Sequence, residues 1–467
     1  MGKVTSRIRV KRIEGVNMMS TYDLIIRNGY VVLPEEVKKA DIAIKNGVIV
    51  KLGNLFDDKG LEEYEASEHY IFPGMIDVHV HFSEPGRAHW EGFETGSQMM
   101  AAGGCTTYFD MPLNGFPSTI DQLALLEKAK IGEAKSVVDF GLWGGLVPGN
   151  IDELEGLAKS GVIGFKAFLS ATGNDEFERA DDLTLLHGMR EIAKLDKVLA
   201  LHAESDPITR WLKLGKEEQG LYSADDYAAT RPVLAEAEAV ERAITYAELT
   251  GCRLHFVHIS SALAVEKIER AKQRGLDVTV ETCPHYLLFN QDTLIEKGAV
   301  AKCAPPLRER DEQEKLIALL IEGRFDMISS DHSPSPYEMK DPAVHNLFEA
   351  WGGISGGQFS LLSMVELAVT YHIPFPKVAD WIAAAPAERF GLSSRKGQIK
   401  EGMDADLAVI SLSENYTVRR DNFYAKHKQS VYMDHTFPCQ ITATFNKGKL
   451  VYDKGEIRKQ ERGTWLK

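Results

Sequence analysis

Asp77-Val78-His79-Val80-His81-Phe82 is the stretch around which the rest of the chain is organised. Phe72-Pro73-Gly74 leads into it, and its β-branched and apolar residues read as a strand. Strand side chains alternate with period two, so His79 and His81 leave the same face. Two imidazoles at one strand end make half of a metal site. A lone His-x-His is a weak signal; its weight comes from four later places in the chain.

Outward from that strand, residues 71–390 alternate strand and helix. Strands are expected at 75–82, 105–111, 137–146, 162–169, 198–204, 253–260, 278–286 and 325–330. Helical patterns separate them, among others at 119–133, 182–195, 235–249, 262–274 and 311–322. Eight near-continuous apolar strands, each followed by a helix or an excursion, predict a (β/α)8 TIM-type barrel. The competitor is a doubly wound α/β sheet, but no Gly-x-Gly-x-x-Gly follows the first strand.

The flanks read differently. Residues 21–70 carry short strands at 23–27, 30–33, 41–44 and 48–52, punctuated by Asn28-Gly29 and Asn46-Gly47. Asn-Gly between apolar runs is a strong hairpin signal. The same texture returns at 405–410 and 440–445, then at 449–453 after Asn446-Lys447-Gly448. Neither flank has the apolar surface to stand alone. Residues 21–70 and 391–467 are therefore expected to build one small β-sandwich domain from both chain termini. Residues 1–20 hold five basic residues but no apolar run of a secretory signal. They read as a disordered extension, with Met18 or Met19 as candidate natural starts; Met1-Gly2 with Ser6 matches a myristoylation pattern only by chance.

Composition narrows the class. A length of 467 residues suits a large barrel with a minor domain, and 44% apolar with 26% charged residues is ordinary for a globular chain. The net charge of -14 argues against nucleic acid or an anionic membrane surface as partner. Cys105, Cys252, Cys283, Cys303 and Cys439 are dispersed with no C-x-x-C, which fits reduced thiols in a cytoplasmic protein.

A barrel places its chemistry at the carboxyl-terminal ends of its strands. There the chain offers His79 and His81, then Lys166 in Gly164-Phe165-Lys166-Ala167-Phe168, His202, His258, and Asp331 in Ser329-Ser330-Asp331-His332. Taken singly, each is blandly explained as a core histidine or a snorkelling lysine. Together they predict two divalent ions. His79, His81 and Asp331 would hold one, His202 and His258 the other, with Lys166 between them. A buried ammonium beside two metals is disfavoured, so Lys166 should lose its proton and add carbon dioxide. The resulting carbamate, N6-carboxylysine, is the bridging ligand such a pair needs. A hydroxide shared by the ions would be the nucleophile, and Asp331 would take its proton and pass it to the leaving nitrogen. Zinc is the default for a histidine-rich set, with cobalt, manganese or iron as alternatives.

The remaining histidines sort by parity and context. His255, three before His258, is expected to face the other side of its strand in a structural role. His285 is placed on strand seven as structural support or as a second layer behind the ligands. His332 is expected to orient a neighbour or contact substrate.

Four motifs carry a family resemblance: Pro73-Gly74-Met75-Ile76-Asp77-Val78-His79-Val80-His81, Gly164-Phe165-Lys166, Glu281-Thr282-Cys283-Pro284-His285-Tyr286 and Ser330-Asp331-His332-Ser333-Pro334. From about Tyr22 onward the chain resembles the amidohydrolase superfamily, and within it the cyclic amidases: dihydroorotases, hydantoinases and allantoinases. The resemblance implies a barrel with a β-sandwich, a binuclear centre with a carbamylated lysine, cyclic amide hydrolysis and a homotetramer. Dihydroorotases usually carry Arg where this chain has Ser83, and hydantoinases a Tyr where it has Ala171. Trp90-Glu91-Gly92-Phe93, Met111-Pro112-Leu113-Asn114, Lys302-Cys303-Ala304-Pro305-Pro306 and Ala350-Trp351-Gly352-Gly353 look like the allantoinase branch. The implied substrate is allantoin, opened to allantoate in purine breakdown. Ser83, Asn114, Cys303 and Gly353 are the candidate contacts, since an uncharged ureido-hydantoin needs amide-type partners rather than a fixed cation. A broad hydantoinase or dihydropyrimidinase is the alternative. A non-catalytic scaffold relative would lack metal ligands, and here all six positions are filled.

Overall fold

The computed structural model describes residues 11–12, 22–458 and 462–467. The expectation of disorder for residues 1–20 lies outside them, apart from Lys11–Arg12, which pair antiparallel with Glu62 and Glu63. No helix among the described residues is long and apolar enough to cross a membrane.

Eight strand positions run in parallel order: Met75–Val80, Cys105–Asp110, Asp139–Leu142 continued by Gly144–Gly145, Phe165–Phe168, Val198–His202, Arg253–Phe256, Val278–Thr282 and Met327–Ile328. Each pairs with its successor. At the third position Trp143 separates two short pieces, the first paired with strand two and the second with strand four. The ring closes where Val80 bridges His332 and the His81 N–H donates to the His332 carbonyl at 2.8 Å. These strands are near-continuous apolar runs because helices cover them outside and side chains fill the interior. Ile76, Phe109, Trp143, Ala200 and Met327, drawn from around the ring, share one cluster with Phe390. Phe390 packs edge-on against Phe109, Trp143 and His255.

The expected helices occur as Gln122–Lys135, Asp182–Lys194, Val233–Thr250, Ala262–Gln273 and Arg310–Ile321. Asp121, Asp181 and Ser261 cap three of them, each accepting a backbone N–H three residues on. Strand seven is shorter than expected. It stops at Thr282, and Pro284 opens the short helix Pro284–Leu288, so His285 stands in a helical first turn and not on the strand.

Both chain ends join in one mixed sheet. Tyr22–Val32, Val37–Lys45, Val48–Gly53, Gly60–Glu65 and His69–Pro73 come from the amino-terminal side, and Leu407–Ser411, Gln440–Asn446 and Lys449–Asp453 from the other. The two halves meet where His69–Pro73 runs antiparallel to Leu407–Ser411. Leu24, Ile26, Val31, Ile42, Leu407, Val409 and Phe445 form the core. Asn46-Gly47 is the hairpin turn it promised to be, with both residues at positive φ. Asn28-Gly29 is not a turn. It is an irregularity inside the single strand Tyr22–Val32, where Asn28 takes φ 60° and a Cβ on Gly29 would lie 2.3 Å from Ile71.

A buried ionic knot ties the sheet to the barrel. Lys396 lies 2.7 Å from Asp139 of strand three and also pairs with Asp406, while Lys447 reaches Asp139 from the sheet at 2.8 Å. Asp139, Asp404 and Asp406 could by themselves suggest a cation site, but Lys396 pairs with all three, Lys447 with Asp139 and Arg395 with Asp404. Replacing Lys396 by methionine should strand buried carboxylates and destabilise the fold by about 3–5 kcal/mol. The check is the midpoint of thermal unfolding, which should fall clearly below that of the parent protein.

Candidate metal centre

The residues proposed as ligands leave the barrel at neighbouring strand ends. His79 lies in strand one and His81 just past it, Lys166 in strand four, His202 at the end of strand five, and His258 and Asp331 just beyond strands six and eight. His79 Nε2 and His81 Nε2 each stand 3.3 Å from Asp331 Oδ1. His202 Nδ1 stands 3.0 Å from His258 Nε2. The rings of His79 and His258, 5.4 Å apart, join the two groups. Lys166 Nζ is buried with no hydrogen-bond partner among the described residues, and its charge acts on His79, His202 and His258 alike.

Two of these residues reach the cluster only because the backbone turns left-handed. His258 has φ 42° and Asp331 φ 45°, and Ser83 and Asn114 beside them have φ 59° and 70°. Such conformations cost about 1–3 kcal/mol each in non-glycine residues and gather where function demands them. The turn at His258 also breaks strand parity. His255 does not face away: it is fully buried and lies within the same network as His258, through Glu281.

Second partners set the imidazole tautomers. His79 Nδ1 donates to Glu281 Oε1 at 2.7 Å, and His202 Nε2 donates to Glu204 Oε2 at 2.8 Å. In each ring the other nitrogen is left as a free base toward the cluster. Asn114, expected as a substrate contact, is engaged with His81, its amide nitrogen 3.3 Å from Nδ1. An ion at Nε2 requires the proton on Nδ1, so the amide must turn its oxygen to that contact. Burial opposes the charge on Glu281, but hydrogen bonds from His255 and His79 override it and hold the carboxyl far below its usual range. Glu204 is likewise held at about 2, against burial, by Arg231 and His202. Glu204 could have been found from sequence, two residues from His202 on the same strand face; Arg231 gave no signal.

Burial lowers Lys166 to about 7 although Glu281 and Asp331 pull the other way. Burial also pushes Asp331 up, yet His79 and His81 hold it at about 2, so it is a carboxylate at any neutral pH. Four imidazoles, one carboxylate and a partnerless buried amine form a donor set that fits divalent metal.

The other expected contacts divide. Ser83 Oγ is buried and without a partner among the described residues. Cys303 and Gly353 have their carbonyls taken, the first by Tyr227 Oη at 2.8 Å and the second by Lys340 Nζ at 2.7 Å. His332 uses both nitrogens, one 3.4 Å from Glu91 and one accepting the Gly357 N–H, so it orients the loop behind Asp331. Arg87 lies over the Trp90 ring at 5.2 Å, and Trp90 in turn packs edge-on against Trp351 at 4.7 Å.

Residues 70–451 match the family model described as the amidohydrolase family. An allantoinase of Bacillus velezensis is 54% identical over 448 residues, which is 96% of this chain and 98% of that protein. An allantoinase of Deinococcus radiodurans is 45% identical over 446 residues, 95% of this chain and 98% of that one. Among solved structures, the L-hydantoinase (dihydropyrimidinase) of Arthrobacter aurescens is similar with a TM-score of 0.92 at 31% identity, covering 95% of this chain and 99% of that chain.

Glu281→Gln removes the charge that fixes His79 while keeping its shape. Metal affinity should fall about 10- to 100-fold. Competition against a calibrated chelator measures this directly, and a variant that holds metal as tightly as the parent would show that Glu281 does not support the centre.

Proposed function

Because the chain belongs to the amidohydrolase family, we propose that it hydrolyses the cyclic amide of allantoin to give allantoate in purine breakdown. The observation that carries this reading is the convergence of His79, His81 and Asp331 with His202 and His258 around the partnerless Lys166 amine. The enzyme is a metal-dependent cyclic amide hydrolase. His79, His81 and Asp331 would hold one divalent ion and His202 and His258 a second, with zinc favoured by the imidazole-rich set. Bound there, the ions supply Lewis acidity and make water nucleophilic at neutral pH.

The chain's own residues do the rest. Lys166 Nζ, near neutrality as a free amine, forms an N–C bond to carbon dioxide and releases a proton, which leaves an anionic carboxylate in place of a buried cation. Asp331 accepts the proton of the attacking water and delivers it to the ring nitrogen as the C–N bond breaks. Ser83 offers a neutral hydroxyl where a carboxylate-bearing dihydropyrimidine would need a fixed cation. Arg87, the nearby candidate for that cation, is engaged over Trp90. The five cysteines are free and buried, which supports a cytoplasmic enzyme. Trp211 and Leu214 share an exposed apolar face on Asp206–Glu218 that suits self-association into a homotetramer.

The test of substrate is kcat/KM for allantoin, hydantoin, dihydrouracil and dihydroorotate, on the parent and on Arg87→Ala. Allantoin should lead. A hydantoin or dihydrouracil preference would favour the hydantoinase reading suggested by the structural neighbours, and a dihydroorotate preference would reject both. The lysine is tested without turnover. Metal-free protein given zinc and the same concentration of dissolved 13C-carbon dioxide at each pH should gain a carbamate NMR signal faster at pH 8 than at pH 6, because the Lys166 amine, lowered by burial to about 7, is mostly neutral only at the higher pH. The signal should be absent in Lys166→Ala.

A further inference from the structure

His285 occupies the first turn of Pro284–Leu288, at the same end of the barrel as the ligands. Its side chain is 1% exposed, and neither ring nitrogen has a hydrogen-bond partner among the described residues. It is alone in this. His79, His81, His202, His255, His258 and His332 are equally buried, and each has at least one ring nitrogen engaged. Its neighbour Tyr286 sets a tilted ring 4.4 Å away, but the Tyr286 hydroxyl is spent on the Pro305 carbonyl. The ring stands in the field of the cluster, where Asp331 and His79 both act on it. A buried polar group with no partner is rare in a folded protein and asks what meets it in the working state.

We infer that His285 is a substrate-binding residue, one ring nitrogen pairing with an N–H or carbonyl of the cyclic amide being opened. The inference rests on the cyclic-amide reading given above. An imidazole presents one donor and one acceptor, which are the two groups an amide offers in reverse. Ser83 Oγ is a second buried polar atom without a partner in the same region, and the two would hold the substrate from different strands. The six proposed ligands do not need His285, so it is free for this task.

The experiment compares parent, His285→Phe and His285→Asn holoenzymes on allantoin, hydantoin and dihydrouracil, with metal content and circular dichroism measured alongside. Metal content and fold should be unchanged. His285→Phe should lower kcat/KM about 10- to 100-fold on the best substrate, chiefly through KM, the scale of one lost buried hydrogen bond. His285→Asn keeps a donor and an acceptor and should recover part of the loss. Leucine replaces phenylalanine if the latter does not fold, and its KM must still rise. Reading each variant on whichever cyclic amide the parent prefers separates the two claims: a preference for hydantoin revises the substrate while His285 is still tested. An unchanged kcat/KM, equal losses in the Phe and Asn variants, or loss of metal from both would overturn the assignment.

Discussion

A single buried carboxylate underlies the arrangement of the site. Glu281, at the end of strand seven, accepts from His79, from His255 and from the backbone N–H of His258. Those three donors belong to strands one and six, so the charge fixes one proposed ligand by its ring and another by its main chain. A charge so deep is expensive, and it persists only because hydrogen bonds replace its water. Once Glu281 is satisfied, the free nitrogen of His79 has one direction left to point. Glu204 repeats the device on His202 with Arg231 behind it. Both supports are hydrogen bonds made within the protein, and each leaves the opposite ring nitrogen facing the cluster.

The same economy explains the backbone. Barrel strands direct side chains either inward or outward, and a ligand needed between those directions requires the chain to leave strand geometry. Left-handed residues at His258 and Asp331 provide that turn. Their strain is tolerated because the surrounding network determines the conformation several times over.

Much of this was legible in the chain. Apolar runs at regular spacing foretold the barrel, and Leu407–Ser411 pairing with His69–Pro73 joins both chain ends in one sheet. His79 and His81 stand out by spacing, and the later proposed ligands by falling at strand ends. What escaped was anything that depends on a partner far away in sequence. Glu281 opens the Glu281–Tyr286 motif, but its role is defined by His79, 202 residues distant. Parity misplaced His255 because periodicity assumes a strand that continues, and this one ends at Phe256. Asn28-Gly29 promised a hairpin, whereas Ile71 packing under Gly29 asked for a bulge. Local composition states what a segment tolerates; long-range contacts select among those options.

The Trp90–Trp351 contact has a use of its own. Trp90 belongs to the segment after strand one and Trp351 to the segment after strand eight, so the two indoles span the seam where the ring closes, on the side of the proposed ligands. Two indoles set edge to face at 4.7 Å couple their electronic transitions, and that coupling falls steeply with distance and angle. The protein therefore contains an unlabelled optical ruler across its own mouth. Any event that parts or rotates these loops becomes visible as a change in circular dichroism or emission, in real time and without a dye.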